Sequence, residues 1–124
     1  MIQKDKELLI RDLCARLPYG VKISVNDRVE VLEGINVVDY AIEYSSFLAS
    51  EIEDCRPYLF PLSSMTEEQK VIYGDLCYSV IQSLSNNMQS ELNELINWLN
   101  ANHFDYRGLI PMGLAIDATG LNIY

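Results

Sequence analysis

The spacing of the hydrophobic residues changes twice along the chain, and this change constrains the fold more than any other feature. Between Asp5 and Leu17 the apolar residues recur every three or four positions, as in a helix with one buried face. From Val21 to Tyr44 they alternate with polar residues, which is typical of half-buried strands. Beyond Ser63 the helical spacing returns. The order of helix, strands and helices predicts an α+β fold.

The segment after the first helix predicts a three-stranded antiparallel meander. Pro18 ends the helix, because the residue before a proline avoids the helical region. Alternating stretches then occupy residues 21–25, 29–35 and 37–44, and Asn26-Asp27 supplies turn chemistry between the first two. The apolar face of such a meander has to be covered by helices.

Residues 45–63 interrupt the regular pattern. The stretch 45–52 fits either a short helical turn or a continued strand, and Pro57 and Pro61 hold the residues between them extended. We therefore predict an ordered loop that carries buried aromatic side chains.

Two amphipathic helices follow and predict a helical hairpin. The first begins at a capping box, which either Ser64 with Glu67 or Thr66 with Gln69 can form. The connection 85–87 is predicted to end this helix and to cap the next. The predicted buried stripes are Tyr73, Leu76, Cys77, Val80 and Leu84 in the first helix, and Met88, Leu92, Leu95, Ile96 and Leu99 in the second.

A glycine, Gly74, lies inside the first helix of this hairpin. Glycine lowers the stability of a helix interior by about 1 kcal/mol relative to alanine. We therefore expect another element to pack closely at this position.

The chain is short enough for all these elements to share one core. With 124 residues, of which 49% are hydrophobic, it buries roughly two-thirds of its unfolded surface without a metal or disulfide framework. Residues 104–117 are too apolar for a disordered tail and are predicted to pack back onto the domain. We predict a single domain over 1–124: an N-terminal helix, a three-stranded antiparallel meander, a helical hairpin and a packed C-terminal segment.

The net charge is −9 and it is unevenly distributed. Residues 1–28 carry +2, whereas residues 29–124 carry −11. The net negative charge disfavours direct binding to nucleic acids and to anionic membrane surfaces. The acidic region is either a well-solvated surface or a face that docks a basic partner or imitates nucleic-acid phosphates.

The cysteines and the N-terminus predict a cytoplasmic protein. Cys14, Cys55 and Cys77 are widely spaced without a CxxC pair, which disfavours a zinc knuckle or a disulfide scaffold. Two of them, Cys14 and Cys77, lie in apolar helical patterns and are predicted to be small buried residues. The chain shows neither a signal peptide nor an apolar run near the ~18 residues of a membrane span.

Motifs for catalysis are lacking. The sequence contains no GxSxG elbow, phosphate-binding glycine loop or HExxH motif. Its single histidine, His103, excludes a multi-histidine metal centre and would have to serve any cysteine or serine nucleophile. We predict no catalytic residue, no metal and no cofactor, and the sequence favours a protein that is not an enzyme.

The richest local cluster is the stretch that contains His103, Asp105, Tyr106 and Arg107. Read as a ligand-binding site, it offers a guanidinium fork for a carboxylate or phosphate, a flat aromatic surface and a group that titrates near neutrality. Read as structure, the histidine suits a helix C-terminus, Asp105 accepts turn hydrogen bonds and Arg107 pairs with a nearby acid. Both interpretations stay open at this point.

Three stretches, residues 13–22, 55–69 and 98–115, resemble a family of small uncharacterised proteins from gut bacteria and their phages or other mobile elements. The resemblance implies a bacterial intracellular setting, and it carries over no activity and no site residues.

The leading functional hypothesis is a non-enzymatic protein-interaction or regulatory module, whose partner is another protein or a second copy of the chain. One alternative is a small ligand-binding protein or enzyme with a site around His103, Asp105 and Arg107. A further alternative is an acidic mimic of nucleic acid, which requires ordered rows of carboxylates.

Overall fold

A computed structural model describes residues 1–45, 48–83 and 88–124, and it has the predicted α+β fold. Three helices and a mixed sheet make up this part of the chain. The helices are α1 (Gln3–Arg16), α2 (Glu67–Gln82) and α3 (Met88–Ala101). The strands are β1 (Lys22–Val25), β2 (Arg28–Asn36), β3 (Ala41–Tyr44), β4 (Leu48–Glu51), β5 (Cys55–Pro61), β6 (Phe104–Asp105) and β7 (Ile116–Asp117).

The predicted meander forms part of a larger sheet with the order β4-β3-β2-β1-β5-β6. Each strand from β1 to β4 pairs antiparallel with the next strand along the chain, and β5 pairs antiparallel with β1. Both β6 and β7 run parallel to β5 and pair with different stretches of it. The predicted loop was wrong for residues 55–61, which form β5, because its pairing partners are distant in sequence and no local pattern reveals them. For the stretch 45–52 the structure has the continued strand, β4, and residues 46–47 lie outside the described residues.

The turns of the meander follow from local chemistry. Asn26 and Asp27 have φ of 50° and 62°, the left-handed pair that a two-residue hairpin turn requires. The third strand begins at Ala41 rather than at residue 37. The Asn36 side-chain oxygen accepts hydrogen bonds from the backbone N–H groups of Val38 and Asp39. These bonds hold the residues after Asn36 in a turn, so the strand begins only after that turn.

The main core lies between the sheet and α1. Leu9, Ile10 and Leu13 of α1 pack against strand residues that include Ile23, Ile42 and Leu59. Leu109, Leu114 and Ala115 complete this core, so the C-terminal segment packs back as predicted. Cys14 was predicted to be buried, but it is exposed, because it lies about 100° around the axis of α1 from Leu13, outside the face that packs on the sheet.

The helical hairpin is attached to the sheet mainly through the end of α3. Its capping box is the one formed by Thr66 and Gln69, each of which accepts the other's backbone N–H. Leu99 and Phe104 form a second core with Met65. The half-buried residues around this core are Phe60, Tyr73, Leu95, Ile96, Trp98 and Tyr106.

Much of the predicted apolar stripe of the hairpin is only partly covered. The residues Tyr73, Leu76, Cys77 and Val80 of α2 are half-buried, and Met88 and Leu92 of α3 are exposed. The reason is that only the last turns of α3 reach the sheet. Leu84 and the predicted connection 85–87 lie outside the described residues. Among the helices of the described ranges, none has the length and apolar character needed to cross a membrane.

Candidate functional site

The end of α3 and the short strand β6 position the predicted cluster. His103 follows the helix in the left-handed conformation, with φ of 61°, and its carbonyl accepts a 2.8 Å hydrogen bond from the backbone N–H of Phe60 in β5. The chain thereby reverses onto the sheet, and residues 104–110 run past α1. The four predicted site residues then project into different surroundings.

Asp105 closes a turn. Its carboxylate is nearly inaccessible, and its two oxygens accept the backbone N–H groups of Leu109 at 2.9 Å and Ile110 at 2.8 Å. Both oxygens of the carboxylate are therefore occupied by the chain's own backbone, which matches the structural interpretation of this residue.

Arg107 belongs to a buried ion network with two residues of α1. Its Nη1 donates to Asp12 Oδ1 at 2.7 Å, and the other oxygen of Asp12 accepts from Arg16 Nε at 2.9 Å. Arg16 also donates from Nη2 to the carbonyl of Phe104 at 2.6 Å. The side chains of Asp12 and Arg16 are fully buried, whereas that of Arg107 keeps 20% of its surface exposed. The network joins α1 to the C-terminal segment.

Tyr106 lies between the two guanidinium groups of this network. The Arg107 and Arg16 Cζ atoms stand 4.6 Å and 5.2 Å from the centre of its ring, within cation–π range. The Tyr106 hydroxyl donates to the side-chain oxygen of the buried Asn100 at 2.8 Å. This aromatic surface is thus occupied by arginines of the same chain.

Sequence reasoning missed Asp12 and Arg16, although a signal for them exists. They follow Leu9 and Leu13 by three positions each, so they lie on the buried side of the helix that those leucines define. An acid and a base four residues apart on an otherwise apolar helix face indicate a buried pair, because neither charge is buried alone.

His103 stands apart from the other three residues and lines a pocket of about 350 Å³. Its ring stacks on that of Tyr124, with 3.8 Å between the ring centres and an angle of 10° between the planes. Phe60, Gln69 and Asn102 also line this pocket, whereas Asp105, Tyr106 and Arg107 do not. The structure therefore separates His103 from the residues with which the sequence grouped it.

Burial, together with the positive charges of Arg16 and Lys22, lowers the pKa of His103 to about 4. Its Nδ1 is buried and has no hydrogen-bond partner among the described residues. The imidazole is consequently neutral near pH 7. The pocket is thus lined by neutral side chains, among them the aromatic rings of Phe60, Phe104 and Tyr124.

The depressed pKa of His103 predicts a loss of stability in mild acid. The unfolded chain protonates its histidine near pH 6.5, whereas the folded chain resists protonation until about pH 4, so the free energy of unfolding falls as the pH drops between these values. We expect the free energy of unfolding to fall by about 1 kcal/mol between about pH 7 and pH 5. This figure includes a reduction for solvent screening, because His103 is only half-buried.

Urea unfolding at the two pH values measures this effect, and His103→Asn is the matched variant, because asparagine tolerates a positive φ and does not titrate. The variant is expected to lose less stability than the parent between the two values. Equal losses in both proteins would show that His103 stays solvated.

The described residues form no metal-binding group, and Cys55, the buried cysteine, is a poor nucleophile. In residues 1–45, 48–83 and 88–124, no group of three or more His, Cys, Asp or Glu side chains could hold a metal ion. Cys55 is buried, and this burial raises the pKa of its thiol to about 11, which keeps it protonated at neutral pH.

The most exposed apolar surface of the hairpin lies on α2. Val71, Gly74, Tyr78 and Ile81 are spaced i, i+3, i+7 and i+10, so they form one line along the helix, which we name the α2 stripe. Tyr78 and Val71 expose 63% of their surface and Ile81 exposes 60%. The stripe lies on a different side of α2 from the half-buried residues that face α3.

Gly74 lies in the middle of this stripe. A β-carbon at this position would meet no heavy atom within 4 Å, so the close neighbour that the sequence predicted is absent from the described part of the chain. Nor does its backbone require glycine, since Gly74 is not among the residues with positive φ. Nothing within the described chain therefore offsets the helix stability that this glycine costs.

Acidic residues border the α2 stripe. Glu67 and Glu68 lie one turn before Val71, and Asp75 lies between Val71 and Tyr78. The hairpin helices carry five carboxylates and a single lysine, Lys70, which is 3.1 Å from the Glu67 carboxylate. The surface therefore combines exposed apolar side chains with a negative border.

Comparison with known protein families, with curated proteins and with solved structures finds no match for this chain.

Proposed function

We propose that this protein is a non-enzymatic protein-interaction module that binds a partner protein through the α2 stripe. The observation that carries the proposal is the line of exposed apolar side chains on a helix whose other side already packs against α3. Apolar patches rimmed by polar residues mark interaction surfaces, and tyrosine is enriched among the residues that dominate binding energy. The resemblance to proteins of gut bacteria and their mobile elements predicts a bacterial setting for the partner.

Two further features support binding rather than catalysis. Asp105, Tyr106 and Arg107 bind the chain's own groups, so they hold the C-terminal segment in place, and none of them lines the pocket beside His103. The exposed residues of the α2 stripe, by contrast, contribute little to the chain's own core. An acidic mimic of nucleic acid is less favoured, because apolar side chains and not carboxylates form the centre of this surface.

A photo-crosslinking residue in place of Tyr78 tests the proposal in bacterial cells. We expect it to capture one defined partner, whereas the same residue in place of Val38, which is 83% exposed and distant in sequence from the hairpin, captures none. With the purified partner, Tyr78→Ala is expected to weaken binding by about tenfold or more, measured by calorimetry. Val38→Ala is the matched control and should leave the affinity unchanged.

Thermal unfolding of Tyr78→Ala should match that of the parent, because the side chain is mostly exposed. A partner that crosslinks equally from both positions, or that binds Tyr78→Ala as tightly as the parent, would contradict the proposal.

Binding of a small neutral ligand in the pocket beside His103 is the second candidate function. It is favoured by the buried Nδ1 of His103, which has no hydrogen-bond partner in the described part of the chain and lies beside the rings of Phe60, Phe104 and Tyr124. Mapping of backbone amide shifts distinguishes the two functions in one experiment. A protein partner is expected to perturb residues 71–81, whereas a pocket ligand perturbs residues 60, 69 and 102–104.

A further inference from the structure

We infer that the segment recognised by the α2 stripe is a basic amphipathic helix of another protein, which crosses α2 at Gly74. The inference rests on the proposed function and specifies the chemistry of its partner. Three observations carry it: the spacing of the stripe, the open space at Gly74 and the sign of the charges around it.

The spacing of the stripe indicates a helical partner. Residues at i, i+3, i+7 and i+10 alternate steps of three and four, which is the pattern by which one helix presents a seam to another. The exposed length from Val71 to Ile81 covers nearly three turns, about 15 Å along the helix axis. An apolar line of this length matches one face of a second helix.

The glycine indicates where the two helices come closest. Helix axes usually pack 8–10 Å apart, and a residue without a side chain at the crossing point permits a shorter distance. Gly74 lies between Val71 and Tyr78, and a β-carbon added there meets open space. The helix stability that Gly74 costs within this chain is offset when a partner side chain or backbone fills that space.

The charges select a basic partner over a second copy of the chain. The whole chain carries −9, and Glu67, Glu68 and Asp75 border the stripe. Two copies of α2 packed along this stripe would bring like-charged borders together, which opposes association. A helix with lysines or arginines beside its apolar face would instead place positive charges opposite Glu68 and Asp75, which lie along one border of the stripe.

The test measures binding of synthetic peptides to the full chain by fluorescence anisotropy. The probe is a helical peptide of leucine and lysine, about 18 residues or five turns long, with its leucines on one face. One comparison peptide has glutamate in place of lysine, and another has the leucine–lysine composition in scrambled order. We expect the leucine–lysine helix to bind at least about tenfold more tightly than either comparison peptide, and more weakly at high salt.

Gly74→Leu is the decisive variant, because its effects on folding and on binding have opposite signs. Leucine favours helix over glycine and has open space at this position, so the variant is expected to fold with a raised midpoint of thermal unfolding. It should nevertheless weaken binding of the leucine–lysine helix by about tenfold, because its side chain occupies the crossing point. Val38→Leu, at an exposed turn, is the matched control and should bind as the parent does.

Three results of the peptide measurements would overturn the inference. They are equal binding of the glutamate peptide, equal binding of the scrambled peptide, and unchanged binding to Gly74→Leu. A dimer in sedimentation that Gly74→Leu abolishes would also overturn it in favour of a second copy. These failures differ from failure of the proposed function, because a natural partner that depends on Tyr78 would still be captured in cells.

Discussion

Asp12→Ala is expected to lower the free energy of unfolding by about 3–5 kcal/mol, since it leaves the buried guanidinium of Arg16 without its carboxylate. Both side chains are fully buried, so water cannot replace the lost partner. Arg16 retains only its bond to the Phe104 carbonyl, and its Nη1 already has no partner among the described residues. Domains of this size have about 5–15 kcal/mol of stability in total, so the variant loses a large part of it.

Urea unfolding measures this loss, and Glu7→Ala is the matched control. Glu7 is an exposed acid on the same helix, and its contact to Gln3 is an exposed side-chain hydrogen bond, so its removal should cost less than about 1 kcal/mol. Similar losses in the two variants would contradict the buried network.

A double variant distinguishes the free-energy cost of burying an unpaired charge from the net contribution of the ion pair to stability. Asp12→Leu combined with Arg16→Met replaces both charges with apolar groups, which is often neutral for buried ion pairs. Arg107 then keeps its contact with solvent through its exposed fifth. We expect the double variant to recover at least half of the stability lost by Asp12→Ala, and no recovery would show that the ions themselves stabilise the fold.

Asp105→Ala is expected to lower the free energy of unfolding by about 2–4 kcal/mol, because it leaves two backbone N–H groups in a largely buried turn without an acceptor. Asp105→Asn should cost less, since the amide oxygen still accepts one of the two bonds. The expected loss is a property of the free protein and requires no ligand.

Asp117→Ala is the matched control for this turn. Asp117 is exposed and accepts hydrogen bonds from the backbone N–H of Thr119, at 2.9 Å, and from the Thr119 side chain, so water replaces the carboxylate when it is removed. We expect a loss below about 1 kcal/mol for this variant in the same urea experiment. If Asp105→Ala cost as little, the carboxylate would be free for a ligand, and the binding-site interpretation of Asp105 would gain support.

These variants bear directly on the cluster that the sequence singled out. Its residue types fit a recognition site, and the same types fit a buried network equally well. The distinguishing fact is the position of Asp12, which lies 95 residues before Arg107 in the chain and 2.7 Å from it in space. No spacing within the cluster contains that information.

Features governed by local chemistry were predicted correctly. The left-handed turn at Asn26-Asp27, the capping box at Thr66 and Gln69, and the order of helices and first strands all depend on residues within a few positions of one another. Strand β5 was missed, because its prolines indicate a loop and its partners lie 30 or more residues away in either direction.

The sequence by itself determined the α+β class, the main helices and the meander, because hydrophobic period and capping act over one or two turns of chain. Tertiary structure alone decided which apolar positions are covered. Leu13 is buried and Cys14 is exposed on the same helix, and Gly74 faces open space although its sequence predicted a close neighbour. Burial depends on which element packs against a face, and the packing of distant segments decides whether that face belongs to the core or to a binding surface.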